Sequence, residues 1–192
     1  VPVRYEDFDQ GIIESLLAPY YALNNVDMIA TISMGGKDFD LERFPGKRRS
    51  VTAPDNANIV YGGTATAPKI SSLNDRPLPG NEFVTFSLPV KQMQQAKGPF
   101  PINDNHKVVT LEKAFEPKSL KELEGAIAVK GGGGGYLSNE ISYRSIRLRD
   151  ELNSDIPTGH IHTPRIQQFE PETEAKIVKQ IKAMLEHSLV AI

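Results

Sequence analysis

The chain has 192 residues, 22 Lys and Arg against 24 Asp and Glu, and no cysteine. That length predicts one domain with a real core, and near-balanced charge without a basic, aromatic-interleaved stripe argues against a nucleic-acid partner. Disulfides, thiolate chemistry and cysteine metal sites are excluded, and no apolar run is long enough to span a bilayer.

The start, VPVRYEDFDQ, does not read as a signal peptide. YEDFDQGIIESLLAPY sets Phe8, Ile12, Ile13, Leu16 and Leu17 at helical spacing, predicting one helix that closes near Pro19. VDMIATISMGG is a short apolar run leaving through paired glycines, the pattern of a buried strand. KDFDLERFPGKRRSVTAPDN is polar and punctuated and reads mostly as loop. Residues 57–82, rich in Gly, Pro, Ser, Thr and Asn, read as an excursion with one strand at Asn58–Tyr61. EFVTFSLP alternates weakly, as a short strand would, and Pro89 suits the first position of a helix over VKQMQQAK. From Gly98 to Gly125 the chain is charged and irregular, with helix expected in PKSLKELEG. AIAVKGG is a strand running into five glycines, Gly131 to Gly135.

SNEISYRSIRLRDEL predicts a helix whose inward stripe is Ile141, Leu148 and Leu152, with small Ser145 between them. IPTGHIHTP is a strand ending in proline. PETEAKIVKQIKAMLEHSL is the clearest helix: Pro171 opens it, acids crowd its first turn, and Ile177, Ile181, Met184, Leu185 and Leu189 line one side. The alternation of helix and apolar strand predicts a single α/β domain over 1–192, a three-layer α/β/α sandwich with a largely parallel or mixed central sheet.

The glycine run raises the question of chemistry. A phosphate loop needs G-x-x-x-x-G-K-[ST], but Tyr136 and Leu137 follow the last glycine, so that motif fails. The dinucleotide fingerprint can be laid on any polyglycine. Two uses of the run stay open. One is a flexible connector with Ser138 capping the helix. The other is a strand, glycine turn and helix-start nucleophile, with main-chain N–H groups stabilising an oxyanion. His160 and His162 alternate in an extended segment and share one face. Without a further ligand motif, neither a zinc site nor any cofactor is expected.

Separated segments resemble one family, the pyroglutamyl peptidases of type I (pyrrolidone-carboxylate peptidases), cysteine peptidases that remove an N-terminal pyroglutamyl residue. AVKGGGGGYLSN has the length and shape of a family motif like A-G-T-Y-V-C-N, with Tyr136 and Asn139 in place and Ser138 at the position of the cysteine. GHIHTP is similar to a family segment like G-F-I-H-V-P, supplying Gly159, Ile161, His162 and Pro164, and His162 stands 24 residues after Ser138, as in the family. LER supplies Glu42 twelve residues before the PDN that begins at Pro54, again the family spacing. SLPVKQM, Ser87 to Met93, resembles T-L-P-I-K-A-M, and the opening VPV resembles an element at the end of an early family strand.

The resemblance implies a three-layer sandwich and covalent acyl transfer. Ser138 would be the nucleophile, His162 the base and Glu42 its acidic partner, with Gly134, Gly135 and Tyr136 forming the oxyanion loop. It implies a peptide substrate with a blocked N-terminus, a homo-oligomer (a tetramer in family terms), a cytoplasmic location, no metal, and neither membrane nor nucleic acid as partner. The chain departs from the family in five places. Serine replaces cysteine. An N-terminal strand and aromatic loop that precede VPV in the family are absent, so a further N-terminal segment, in the same product or as a separate chain, is expected. Residues 97–125 form an insertion. Thr52 replaces a family arginine, and Glu140 stands where many members have histidine. The serine is compatible with a serine-using hydrolase, a catalytically silent peptide-binding relative, or an engineered replacement.

Overall fold

The computed structural model describes residues 1–191. The first helical stretch is two helices, α1 (Tyr5–Asp9) and α2 (Ile12–Leu23), rather than one. They are separated at Gly11, whose φ of 77° is left-handed and costs a glycine little. Pro19 lies inside α2 instead of ending it. Pro19 and Ser15 are both exposed, so the carbonyl that loses its ladder bond can turn to water.

Strand β1 (Ile29–Met34) forms where expected, but at a sheet edge: Ile32 and Met34 are exposed. The segment read as loop contains β2 (Phe39–Glu42), with Phe39 and Leu41 fully buried, and the short β3 (Arg48–Arg49). The excursion holds β4 (Lys69–Ile70), β5 (Ser72–Leu73) and β6 (Arg76–Pro77), whereas the expected strand at 58–61 is reduced to a bridge between Pro54 and Val60. EFVTFSLP buries Phe83, Val84, Phe86 and Leu88 and is tied to its neighbours by main-chain bonds, without becoming a regular strand. A helix follows Pro89, which sits at its N-cap rather than its first position, and α3 (Val90–Met93) is only one turn.

The irregular segment after Gly98 contains β7 (Ile102–Asn105), β8 (Val108–Thr110) and β9 (Ala114–Phe115), then a 3-10 turn at Leu120–Leu123 where helix was expected. Strand β10 (Ala128–Lys130) joins β8 and β9 in a separate antiparallel sheet. Helix α4 (Leu137–Glu151), strand β11 (Thr158–Thr163) and helix α5 (Pro171–Leu189) complete the chain.

The central sheet has the order β1-β11-β2-β7. It is mixed: β1 runs parallel to β11, β11 antiparallel to β2, and β2 parallel to β7. Helix α4 covers β1 and β11 with α2 packed behind it, while α3 pairs with α5. The main core joins Phe39, Leu41 and Ile161 of the sheet to Tyr143 and Ile146 of α4 and to Ile177 and Met184 of α5. This is the expected α/β/α sandwich. The inward stripes differ in detail: Leu152 and Leu189 are exposed, whereas Gln180 and Ser188 are buried.

Candidate active site

Register explains how the site assembles. His162 lies opposite Asp40 across the antiparallel pair β11–β2, so Glu42, two residues on, shares its face and is its diagonal neighbour. His162 Nδ1 and Glu42 Oε1 are 2.6 Å apart, a hydrogen bond between two buried side chains. On the other side of β2, parallel pairing sets Asn105 directly opposite Glu42. The Asn105 amide donates to Glu42 Oε2 at 2.8 Å. Three adjacent strands thus form a chain, imidazole to carboxylate to amide, that fixes the ring and leaves Nε2 facing outward.

Ser138 stands in the first turn of α4. It is half-buried and shares with Glu42, Asn105 and His162 the wall of a cavity of about 730 Å3. Ser138 Oγ and His162 Nε2 make no hydrogen bond among the described residues, to each other or elsewhere. Gly133 lies against both the His162 ring and the start of α4. A Cβ built there would lie 3.4 Å from His162 Cε1 and 3.2 Å from the main chain of Asn139, so a glycine at this point keeps the space between ring and helix start open. Gly133 and Gly134 have φ of 92° and 89°, and Gly131 and Gly134 close on each other in a tight bridge. L side chains rarely adopt that geometry. Asn139 holds the turn from behind, accepting from Gly46 N at 2.8 Å and donating to Gly46 O at 2.6 Å.

The first N–H groups of a helix have no intrahelical partner, and the helix dipole favours negative charge beside them. The turn entering α4 can therefore receive an oxyanion. Of the loop residues singled out from the sequence, Gly134 lines the cavity. Gly135 is packed against Ser50, whose N–H donates to its carbonyl. Tyr136 donates through its hydroxyl to Pro54 O and lines a second, apolar cavity of about 330 Å3 on the other side of Ser138.

His160, two residues before His162, is completely buried. Thr31 Oγ1 is 2.8 Å from its Nδ1 and Ser33 Oγ 2.9 Å from its Nε2, and its ring meets that of His162 edge to face at 4.9 Å. Burial, and then the neighbouring His162, push it well below the ordinary histidine value, so it packs behind His162 as a neutral ring.

The two departures at Thr52 and Glu140 sit differently in space than in sequence. Thr52 donates to Gly63 O. Glu140 is buried between Arg49 (2.6 and 2.8 Å) and Arg144 (2.8 Å). Burial alone would raise its carboxyl, but the hydrogen bonds and charges of Arg49 and Arg144 outweigh that and hold it below the usual carboxylate range. Arg49 continues to Asp9, and Arg144 to Glu14. Beyond the charges themselves, nothing in the residue pattern points to this network, nor to Asn105 within its irregular segment. No group of three or more His, Asp or Glu among the described residues is placed to hold a metal, and no helix there is long and apolar enough to cross a membrane.

Among solved structures, this chain is similar to the pyrrolidone carboxyl peptidase of the hyperthermophile Pyrococcus furiosus. One mutant of that enzyme aligns over 98% of this chain and 79% of its own at a TM-score of 0.64 and 17% identity. The peptidase described together with its Cys-free mutant aligns over 100% of this chain and 80% of that one, at 0.63 and 16%. This is likeness of fold: the chain has the architecture of the pyroglutamyl peptidases. In sequence, a family model described as PA0049, C-terminal domain, matches residues 100–167, a stretch that holds Asn105, Ser138 and His162 but not Glu42. The Pseudomonas aeruginosa protein named uncharacterized protein PA0049 is 28% identical over 242 residues, covering 88% of this chain and 43% of that protein. The chain therefore spans less than half the length of this relative.

Proposed function

We propose that the chain is a serine-using hydrolase on the pyroglutamyl peptidase fold, releasing an N-terminal pyroglutamyl or similar cyclic or small acyl group from a peptide. Ser138 Oγ attacks the scissile carbonyl carbon as His162 Nε2 takes its proton, and the carbonyl oxygen becomes an oxyanion beside the α4 entry turn. The C–N bond then breaks, with the imidazolium returning its proton to the departing amine. Water, deprotonated by the same ring, hydrolyses the acyl-serine ester. Glu42, held by Asn105, fixes the tautomer that presents Nε2 and favours the cation formed at each step.

The observation that carries this reading is the 2.6 Å bond from His162 to Glu42 on the wall of a cavity that Ser138 also lines. Incubation with a pyroglutamyl chromogenic amide tests it. The expected result is chromophore release that Ser138→Ala abolishes and His162→Ala lowers by roughly 10²–10⁴-fold. Turnover surviving in Ser138→Ala overturns it.

A second reading, a non-catalytic peptide-binding protein, is favoured by one observation: Ser138 Oγ makes no hydrogen bond to His162. Peptide binding by the wild-type protein, with no turnover at high protein concentration, selects that reading.

A further inference from the structure

Ser138 lies between two cavities of opposite character. The smaller, of about 330 Å3, is walled by groups such as Phe8, Ile32 and Ile141 and does not include His162. The larger contains His162 and three cations, Lys107, Lys130 and Arg165. Each cation comes from a stretch of chain that also carries a site residue. Lys107 is two residues after Asn105, Lys130 immediately precedes the glycine run, and Arg165 is three residues after His162.

None of the three forms an ion pair among the described residues. The acids around them are engaged elsewhere: Asp104 with Arg43 and His106, and Glu42 with His162. Only Glu116 on the same wall remains to oppose them. Unpaired charges of one sign lining a cleft concentrate ligands of the other sign.

Chemistry assigns the larger cavity to one side of the scissile bond. The group that protonates the departing amine must face it, and His162 opens on the larger cavity alone. We infer that this cavity takes the leaving-group side of the substrate, and that the leaving group carries a carboxylate, on the side chain following the scissile bond or at the free end of a very short peptide. This rests on the reading of Ser138 and His162 as nucleophile and base.

Four substrates separate the sources: pyroglutamyl-glutamate and pyroglutamyl-glutamine, each with a free or an amidated carboxyl end. The expected kcat/KM of an anionic substrate is about tenfold or more above its neutral counterpart at about 20 mM salt, shrinking at about 500 mM as exposed charges are screened. A gain confined to the side-chain pair assigns an acidic residue, and one confined to the free-end pair a short peptide. Combining Lys107→Gln, Lys130→Gln and Arg165→Gln should bring the favoured substrate down to the neutral one.

Calorimetric binding of the same peptides to Ser138→Ala makes the result independent of turnover. A preference for the anionic peptides in binding, without turnover by the wild type, keeps the inference and defeats the catalytic reading. Equal affinity and equal kcat/KM for all four overturn the inference and leave catalysis standing.

Discussion

Two groups of buried charge lie near the first two turns of helix α4, one around its own Glu140 and the other, Glu42 with His162, on the cavity wall that its Ser138 shares, and they are built to opposite plans. At Glu140 both carboxylate oxygens are taken, and the partners Arg49 and Arg144 run on to Asp9 and Glu14, so each charge meets an opposite one inside the fold, although Glu14 Oε2 is buried without a hydrogen bond. At Glu42 the carboxylate is equally satisfied, by His162 and Asn105, but the chain ends at an imidazole edge open to a cavity. Pairing of charge with charge inside the fold marks a structural network. An unused valence at the end of a fixed chain marks a place for chemistry.

That contrast breaks most visibly if the closed network is opened. Arg49→Met leaves Asp9 without its shortest partner and Glu140 with Arg144 alone. Removing one member of a buried ion pair costs about 3–5 kcal/mol, so urea denaturation should show a loss of that size. Because the Glu140 carboxyl is depressed in the fold, its contribution is present above the unfolded carboxylate value and lost as pH falls through the lower folded one. Part of the acid sensitivity should disappear in the variant.

The open chain responds in rate as well as in stability. Asn105→Ala removes a hydrogen bond to a charged group, worth about 1.5–3 kcal/mol. The urea midpoint should fall accordingly, and if Asn105 also positions the carboxylate, Ser138-dependent turnover of the protein that remains folded should fall roughly tenfold or more. A large drop in stability with unchanged turnover would move Asn105 to the structural side of the comparison.

The smallest expected effect concerns His160, a closed unit lying against the open one. It stays neutral in the fold, so below about pH 6.5 the unfolded chain takes up a proton that the folded chain does not. Stability contributed by His160 is therefore full above that pH and declines as pH falls below it. Unfolding measured from pH 7.5 to 5.5 should show this slope, and His160→Gln should remove it.

How legible the molecule was follows from the same distinction. Ser138, His162 and Glu42 stood out only because order and spacing resemble one family; the local sequence by itself favoured the connector reading of the glycines. The helices α4 and α5 were readable because their apolar residues recur at helical period. Strand β2 was not, because four residues, Phe-Asp-Leu-Glu, alternate inside a stretch dominated by charge and glycine. The buried face of α4 was hidden for a related reason: Glu140, Arg144 and Arg147 read as solvated when counted singly, and only their pairing with Arg49, Asp9 and Glu14, distant in sequence, lets them be buried. Strand β10 was recognised, but its membership of the separate antiparallel sheet depends on β8 and β9, which lay in the segment read as irregular.

The claim on which the account turns is that the His162 ring activates the Ser138 hydroxyl across the gap kept open by Gly133. Reaction with a fluorophosphonate, followed by intact mass and peptide mapping, tests it without any assumption about substrate. One adduct on Ser138, lost in both His162→Ala and Ser138→Ala while each variant keeps its folded signature, is the expected result. No adduct on the wild-type protein, or labelling of Ser138 at the same rate in His162→Ala, would contradict it.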